Sequence, residues 1–328
     1  MNAGLPLVEN EILKLFRRRR FRLVLLILAA LNGLIVFAQV QVQARQKGPR
    51  KEWRVEVQER IARTENWLRS GRVTDTWRRW GRFEIGRLQY HLDHDINPEK
   101  VSGPLYTRGF ANAGSLLLLP LLAIVLASDI VSSEFSEGTI KLLLTRPVTR
   151  SRVLAAKAAA LILAITLTVL AGGLLAYLFS GLAYGFSGWG APVLSGFRLA
   201  GEAVDLSAIR ALPLWQDTAL VFGLAWFSAL CVGAIAFFTS VVLRSTAAAM
   251  GSMVAALIAG TILPRLAPEW ESQKYLFVTH LPLPDIYSGS PPPIEGITLI
   301  FSVVVLAAWA AAALLAAFGI FRRRDVLA

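Results

Sequence analysis

The sequence predicts an all-α polytopic membrane protein with six transmembrane helices, and three observations predict it. Of its 328 residues, 55% are hydrophobic and only 17% charged, with a mean hydropathy of +0.54, which is too apolar for a soluble domain. Six apolar runs approach the roughly 20 residues that a helix needs to cross a bilayer. The single cysteine, Cys231, lies inside one of those runs, so an intrachain disulfide framework is excluded.

The first element, residues 1–20, is an amphipathic interfacial helix. Leu5, Val8, Ile12, Leu15 and Phe16 share one face, with Glu9, Glu11 and Lys14 off it. It ends in Arg17, Arg18, Arg19 and Arg20, which suit the anionic headgroup layer or, alternatively, a positive stop that only orients the first span. The first span follows at 21–40, with Asn32 its only strongly polar interior residue. That run is too long for a signal-peptide core and has no small-residue cleavage site, so no cleavable signal is expected. Residues 41–108 change character, with dense charge and Trp53, Trp67, Trp77 and Trp80. Trp53, Val57, Ile61 and Leu68 keep helical spacing, so two or three amphipathic helices are expected in an external segment. Its nine acidic residues oppose a nucleic-acid reading of the arginines and aromatics.

The second span is expected at 109–128, with Pro120 as its kink. A charged connection, 129–152, leads to the third span at 153–179. A Gly-rich, weakly charged external loop, 180–217, precedes the fourth span at 218–240. The turn 241–245, holding Arg244 and Ser245, joins it to the fifth span at 246–264. In the external loop 265–295, the apolar piece Tyr275 to Leu283 is expected to re-enter the outer leaflet, with His280 lone and interfacial. The sixth span, 296–321, ends at the basic tail 322–328.

Charge sets the orientation. The short loops vote, because long segments translocate regardless of charge. With both termini inside, the inner segments together with the inner ends of the spans (Arg22 and Lys157) hold 15 Lys/Arg against 6 Asp/Glu, and most of the outer bases sit in the long first loop. Both termini are therefore expected in the cytoplasm.

The connection after the second span carries the most specific signal. From Asp129 to Lys157 it reads DIVSSEFSEGTIKLLLTRPVTRSRVLAAK, with carboxylates Asp129, Glu134 and Glu137 first, then Gly138 and Thr139, then Lys141, Arg146, Arg150, Arg152 and Lys157. Thr139 and Thr149 suit helix N-caps, and Pro147 stops the helix between them. This stretch resembles the cytoplasmic signature of the type-2 ABC transporter permeases. Glu134, Glu137, Gly138, Thr139, Leu143, Leu144, Pro147, Val148, Arg150 and Lys157 fall on the pattern, and the resemblance extends to the six-span layout and the closing FRRRD but not to 41–108.

The resemblance implies a coupling segment that docks on an ABC ATPase subunit, formed by Glu134, Glu137, Gly138, Thr139, Lys141, Leu143, Leu144, Arg146, Pro147 and Arg150. It also implies an elbow role for the first helix, a second permease chain (identical or a close homologue), export, and the inner membrane of a prokaryote. The carboxylates at 134 and 137 also fit a purely local role at a helix N-terminus. Small residues such as Gly172, Gly173, Ala247 to Ala249, Gly251 and Gly260 suit either the dimer interface or packing within one chain.

What the chain lacks narrows the chemistry. No ionisable residue lies deep within any run, which argues against an ion-coupled transporter. No phosphate-cradling loop is present, so this chain is expected to bind no cofactor, with ATP and magnesium held by the partner ATPase. His91, Asp93, His94 and Asp95 offer metal-ligand types, but a convincing site needs three or four converging ligands, and no metal site is expected. No nucleophile elbow or H-E-x-x-H motif occurs, so a non-catalytic permease is expected, with an amphiphilic or hydrophobic cargo. An intramembrane enzyme acting on lipid would have to use Glu84, the His91 group or Asp285, which share no spacing. The alternative is an ATPase-coupled anchoring or force-transmitting component that acts on an external protein partner through 41–108 without solute transport. Membrane lipids are expected partners in either case.

Overall fold

The computed structural model describes residues 4–17, 19–45, 52–70, 73–98, 101–136, 149–200, 203–205, 209–267, 270–292, 294 and 296–323. Six stretches are long and apolar enough to cross a membrane: Arg19–Arg45, Leu118–Ser136, Arg150–Tyr184, Leu214–Val242, Thr246–Pro264 and Leu299–Arg323. The chain is a helical polytopic membrane protein.

The helices are α1 (Gly4–Arg17), α2 (Arg19–Arg45), α3 (Trp53–Arg69), α4 (Asp75–Asp93), α5 (Gly103–Gly114), α6 (Leu118–Ala127), α7 (Ser132–Ser136), α8 (Arg150–Tyr184), α9 (Leu214–Val242), α10 (Thr246–Leu266), α11 (Leu283–Tyr287) and α12 (Leu299–Arg323). Helix α9 runs through the centre and packs on α5, α6, α8, α10 and α12. Its Val221, Ala225, Ala229, Val232 and Ala236, at helical spacing, are fully buried. Peripheral α2 and α12 are apolar outside as well, exposing Leu26, Leu34, Phe37, Ile300 and Leu315, as suits helices whose outer solvent is hydrocarbon. Several helices run past the expected spans. Helix α8, at 35 residues, is about 52 Å long and exceeds a bilayer core of about 30 Å.

The second crossing breaks at 115–117, not at Pro120. Ser115 closes α5 by donating its hydroxyl to the Asn112 carbonyl at 2.7 Å. Pro120 is the third residue of α6, where its missing N–H had no intrahelical partner to lose. The connection 185–213 also departs from an all-α expectation. Strand β1 (Pro192–Ser195) pairs antiparallel with β4 (Arg210–Pro213), and β2 (Arg198–Ala200) with β3 (Ala203–Asp205), nested between them. Gly196, at φ +90°, supplies the turn between β1 and β2.

The segment after α2 forms two helices, α3 and α4, packed as a hairpin around Val57, Ile61 and Leu88. Gly81 admits Leu68, since a Cβ there would lie 2.8 Å from it. Helix α4 then rests on the fully buried Phe197 through Phe83, Tyr90 and His91.

The connection before α12 folds inward. After α10 come two 3₁₀ turns, Glu271–Tyr275 and Phe277–His280, then α11. Ser228, near the middle of α9, donates to the Leu281 carbonyl at 3.0 Å, and Val278 abuts Gly260 of α10. The segment therefore reaches the level of the middle of α9. Non-helical backbone at that depth needs internal hydrogen-bond partners. Trp309 donates to the Tyr275 carbonyl at 2.8 Å and Thr279 to that of Gln273 at 2.9 Å, while His280 Nε2 meets the Lys274 carbonyl at 2.8 Å. His280 is thus fully buried rather than interfacial, with Nδ1 2.9 Å from Ser302 Oγ. Its apolar neighbours in sequence hid the two carbonyl and hydroxyl partners that make this burial stable.

Candidate functional site

Two buried ionic groups sit at opposite ends of the bundle. The basal end carries α1, the start of α8 and the end of α12, and Arg150 of α8 donates there to the Arg322 carbonyl at 3.4 Å. Lys157, on the second turn of α8, is 1% exposed and inserts its ammonium between Glu134 Oε1 (2.6 Å) and Glu11 Oε2 (2.9 Å). Lys14 reaches the same carboxylates, at 3.0 Å from Glu11 and 3.4 Å from Glu134. Arg20 of α2 pairs with Asp129 at 3.1 Å. Burial alone would raise the Glu11 carboxyl, but Lys157 and Lys14 outweigh it and hold that carboxyl below its ordinary range.

Glu11 corrects the amphipathic reading of the first helix. It lies on the buried face with Leu15, while Phe16 is exposed. Glu11 and Leu15 are four apart, so the buried stripe was present in the spacing, but a carboxylate on it is tolerable only because Lys157 meets it.

Helix α7 is held from several sides at once. Ser240, near the end of α9, accepts from the backbone N–H groups of Val131 (3.1 Å) and Ser132 (3.0 Å). The Ser132 hydroxyl lies 3.0 Å from that of Thr246, which opens α10. With the ionic pairs of Glu134, the residues that precede position 137 are seated by α1, α8, α9 and α10 together. Glu134 Oε2 is buried with no hydrogen-bond partner among the described residues.

Of the expected docking residues, Glu134 is therefore a buried network member, and Arg150 begins α8. Glu137, Gly138, Thr139, Lys141, Leu143, Leu144, Arg146 and Pro147 lie outside the described residues, as does Arg18 of the basic run. Arg17 and Arg19 are exposed, and Arg20 is occupied by Asp129. Thr149 stands at the N-cap of α8 without a side-chain cap bond.

The distal group was not foreseen from the sequence. Arg108 of α5 forms an ion pair with Asp217 of α9 and donates to Ser288 Oγ at 3.1 Å, and Asn112 donates to Asp285 at 2.7 Å. Asp217 is fully buried, because α9 begins at Leu214 rather than at 218. Across the bundle Gly173 of α8 faces the ring of Phe222 of α9, where a Cβ would lie 2.7 Å away. Counted along the helices from that level, Lys157 is about 24 Å one way and Asp217 about 8 Å the other. The two ionic levels thus stand about 30 Å apart, the thickness of a bilayer core.

Three candidate interface glycines are occupied within the chain. Gly172 faces Phe110, Gly173 faces Phe222 and Gly260 faces Val278, each with room for no Cβ. Gly251 faces open space, and Ala247 and Ala248 are exposed while Ala249 is buried.

The histidines of the HLDHD stretch are engaged separately. His91 Nδ1 lies 3.2 Å from the Ile96 carbonyl, with its ring on Phe197, while His94 stacks on Tyr90 at 3.8 Å. Burial, with Arg87 nearby, lowers the His91 pKa to about 4. Glu84 is buried between Arg60 (3.0 Å) and Arg87 (2.9 Å). Asp285 belongs to the distal group, so Glu84, His91 and Asp285 have separate partners.

Known proteins resemble the chain along most of its length. It is 29% identical over 332 residues to "Uncharacterized protein YhcI" of Bacillus subtilis (strain 168), covering 98% of this chain and 99% of that one. It is 28% identical over 212 residues to "Uncharacterized membrane protein YdbK" of the same organism, covering 64% of this chain and 78% of that one. A family model matches residues 106–327, which include the second to sixth crossings and both ionic groups except the α1 and α2 residues. The chain belongs to the family described as "Protein of unknown function (DUF2705)".

Proposed function

We propose that the chain is the membrane-spanning permease subunit of an ATP-driven exporter of the ABC type. It dimerises with an identical or closely related chain and couples to separate ATPase subunits that hold ATP and magnesium. In this reading both termini are cytoplasmic in the inner membrane of a prokaryote, and α1 is an elbow helix at the headgroup layer. The observation that carries it is the rigid seat of α7, joined in sequence to the docking motif at 137–150. A force applied to a loop does work on the bundle only if the loop is anchored to elements that move together, and Glu134 and Ser132 tie α7 to α1, α8, α9 and α10. The cargo is amphiphilic or hydrophobic, because the zone between the ionic levels is lined by apolar helices.

The test is purification of the tagged chain from native membranes in mild detergent, with Glu137 intact or changed to Lys. Recovery of an ABC ATPase that the variant loses supports the reading. Absence of any ATPase after crosslinking in several detergents removes its energy source.

A second reading has the hairpin α3–α4 transmitting movement to an external protein partner. Its own small core and its seat on Phe197 favour it, since a force-bearing element must be folded and anchored. Cargo assays with and without 52–98 separate the readings: under force transmission no solute moves with ATP in either case and the deletion abolishes action on the partner, whereas a permease moves cargo with ATP.

A further inference from the structure

The far end of the α3–α4 hairpin combines two features that the rest of 41–108 lacks. Trp67, Trp77 and Trp80 are 40%, 45% and 39% exposed and touch edge to face, with centroids 6.2 Å and 6.0 Å apart. Residues 60–82 hold seven arginines against Glu65 and Asp75, while the remainder of 41–108 is nearly balanced, with eight bases against seven acids. Arg63 is exposed and has no ion-pair partner among the described residues, although Arg60 is shared with Glu84. A groove of about 420 Å³ is lined by Arg60, Arg63, Thr64, Trp67 and Trp80.

We propose that this tip docks into the headgroup layer of the bilayer that the chain crosses, with anionic phospholipid as its partner. Tryptophan favours that layer because its ring is apolar at one end and wet at the other, and arginine meets phosphate with a planar fork of donors. Both roots of the hairpin are short: α3 begins eight residues after α2 ends, and α5 begins ten residues after α4 ends. The tip, about 25 Å from those roots, is therefore held at high effective concentration over the lipid.

The attitude of the hairpin agrees. Phe197 is met by Phe83 and, two turns on, by Tyr90 and His91, so α4 lies side-on against it. Phe197 in turn sits against the bundle end, because a Cβ on Gly289 would lie 1.9 Å from its carbonyl oxygen, and the adjacent Ser288 holds Arg108. In the proposed docking, the first turns of α4 extend from this seat to the headgroup layer.

The test uses the full chain with Cys231→Ala and a spin label at Asn66→Cys, which is exposed beside Trp67. It is placed in nanodiscs of phosphatidylcholine or of an equal mixture with phosphatidylglycerol. Collision with a water-soluble nickel chelate is expected to fall several-fold in the mixture. That protection should be lost in Arg63→Glu and in Trp77→Ser, with hydrogen-exchange protection at Ile61 and Leu88 showing the hairpin still folded. Equal chelate access in both lipids overturns the proposal. So does dipolar broadening between labelled copies, which would make a second chain the occupant, and so does protection that appears only on adding a soluble anionic polysaccharide.

Discussion

Lys157 shows how one residue can organise the basal end. Its buried ammonium pairs with two carboxylates that reach it from α1 and α7, and removing it leaves both with only the more exposed Lys14. Breaking a buried pair by deleting one partner typically costs about 3–5 kcal/mol, whereas replacing every member with apolar or neutral groups of similar volume is often near neutral. Lys157→Ala is therefore expected to lower thermal stability in detergent strongly. Lys157→Met combined with Glu11→Gln and Glu134→Gln should recover most of the loss, and a triple variant as unstable as the single one would show that packing, not charge, dominates. At the distal side His91 sets a pH limit. Its folded pKa of about 4 lies below the ordinary 6.5, so the unfolded state binds the extra proton. The stability it contributes is complete above about pH 6.5 and is lost as pH falls toward 4, by an amount on the order of 2 kcal/mol after allowance for solvent screening. Hydrogen exchange over α4 should accelerate across that window in the native chain and not in His91→Gln.

At the scale of elements, the glycines separate contacts inside the chain from surfaces left open. A methyl on Gly173 would stand 2.7 Å from the Phe222 ring, and overfilling a packed site costs about 1–3 kcal/mol. Gly173→Ala is expected to destabilise the isolated chain by that amount and to be rescued by Phe222→Leu. Gly251→Ala, which meets nothing, should leave the thermal midpoint unchanged; a loss equal to that of Gly173→Ala would mean that α10 is packed more tightly than its open face indicates. Element identity was readable where the signal is long and one-sided. The apolar runs and the α3 spacing of Val57 and Ile61 belong to this class. The break at Ser115 and the ribbons at 192–213 were not readable. The first rests on a serine side-chain bond, and the second on pairing between strands of three or four residues, which carry almost no periodicity of their own.

For the whole molecule, the two ionic levels act as a gauge of the bilayer. Burying Lys157 or Arg108 in hydrocarbon away from its partners is costly, so the bundle should be most stable where the apolar layer matches the spacing of about 30 Å between them. Thermal midpoints in vesicles of graded acyl length are expected to peak near that thickness and to fall on either side; a flat series would show that the levels do not sense the membrane. The sequence by itself determined the class of the molecule, the number of crossings and the segment that resembles an ATPase-docking motif. These follow from local composition and periodicity, which water and hydrocarbon read residue by residue. Only the tertiary structure decided which charges are buried. Glu11 meets Lys157 across 146 positions, Lys14 meets Glu134 across 120, and Arg108 meets Asp217 across 109. A carboxylate in an apolar face is an error or an anchor according to whether a distant cation arrives, and that arrival is a property of helix packing alone.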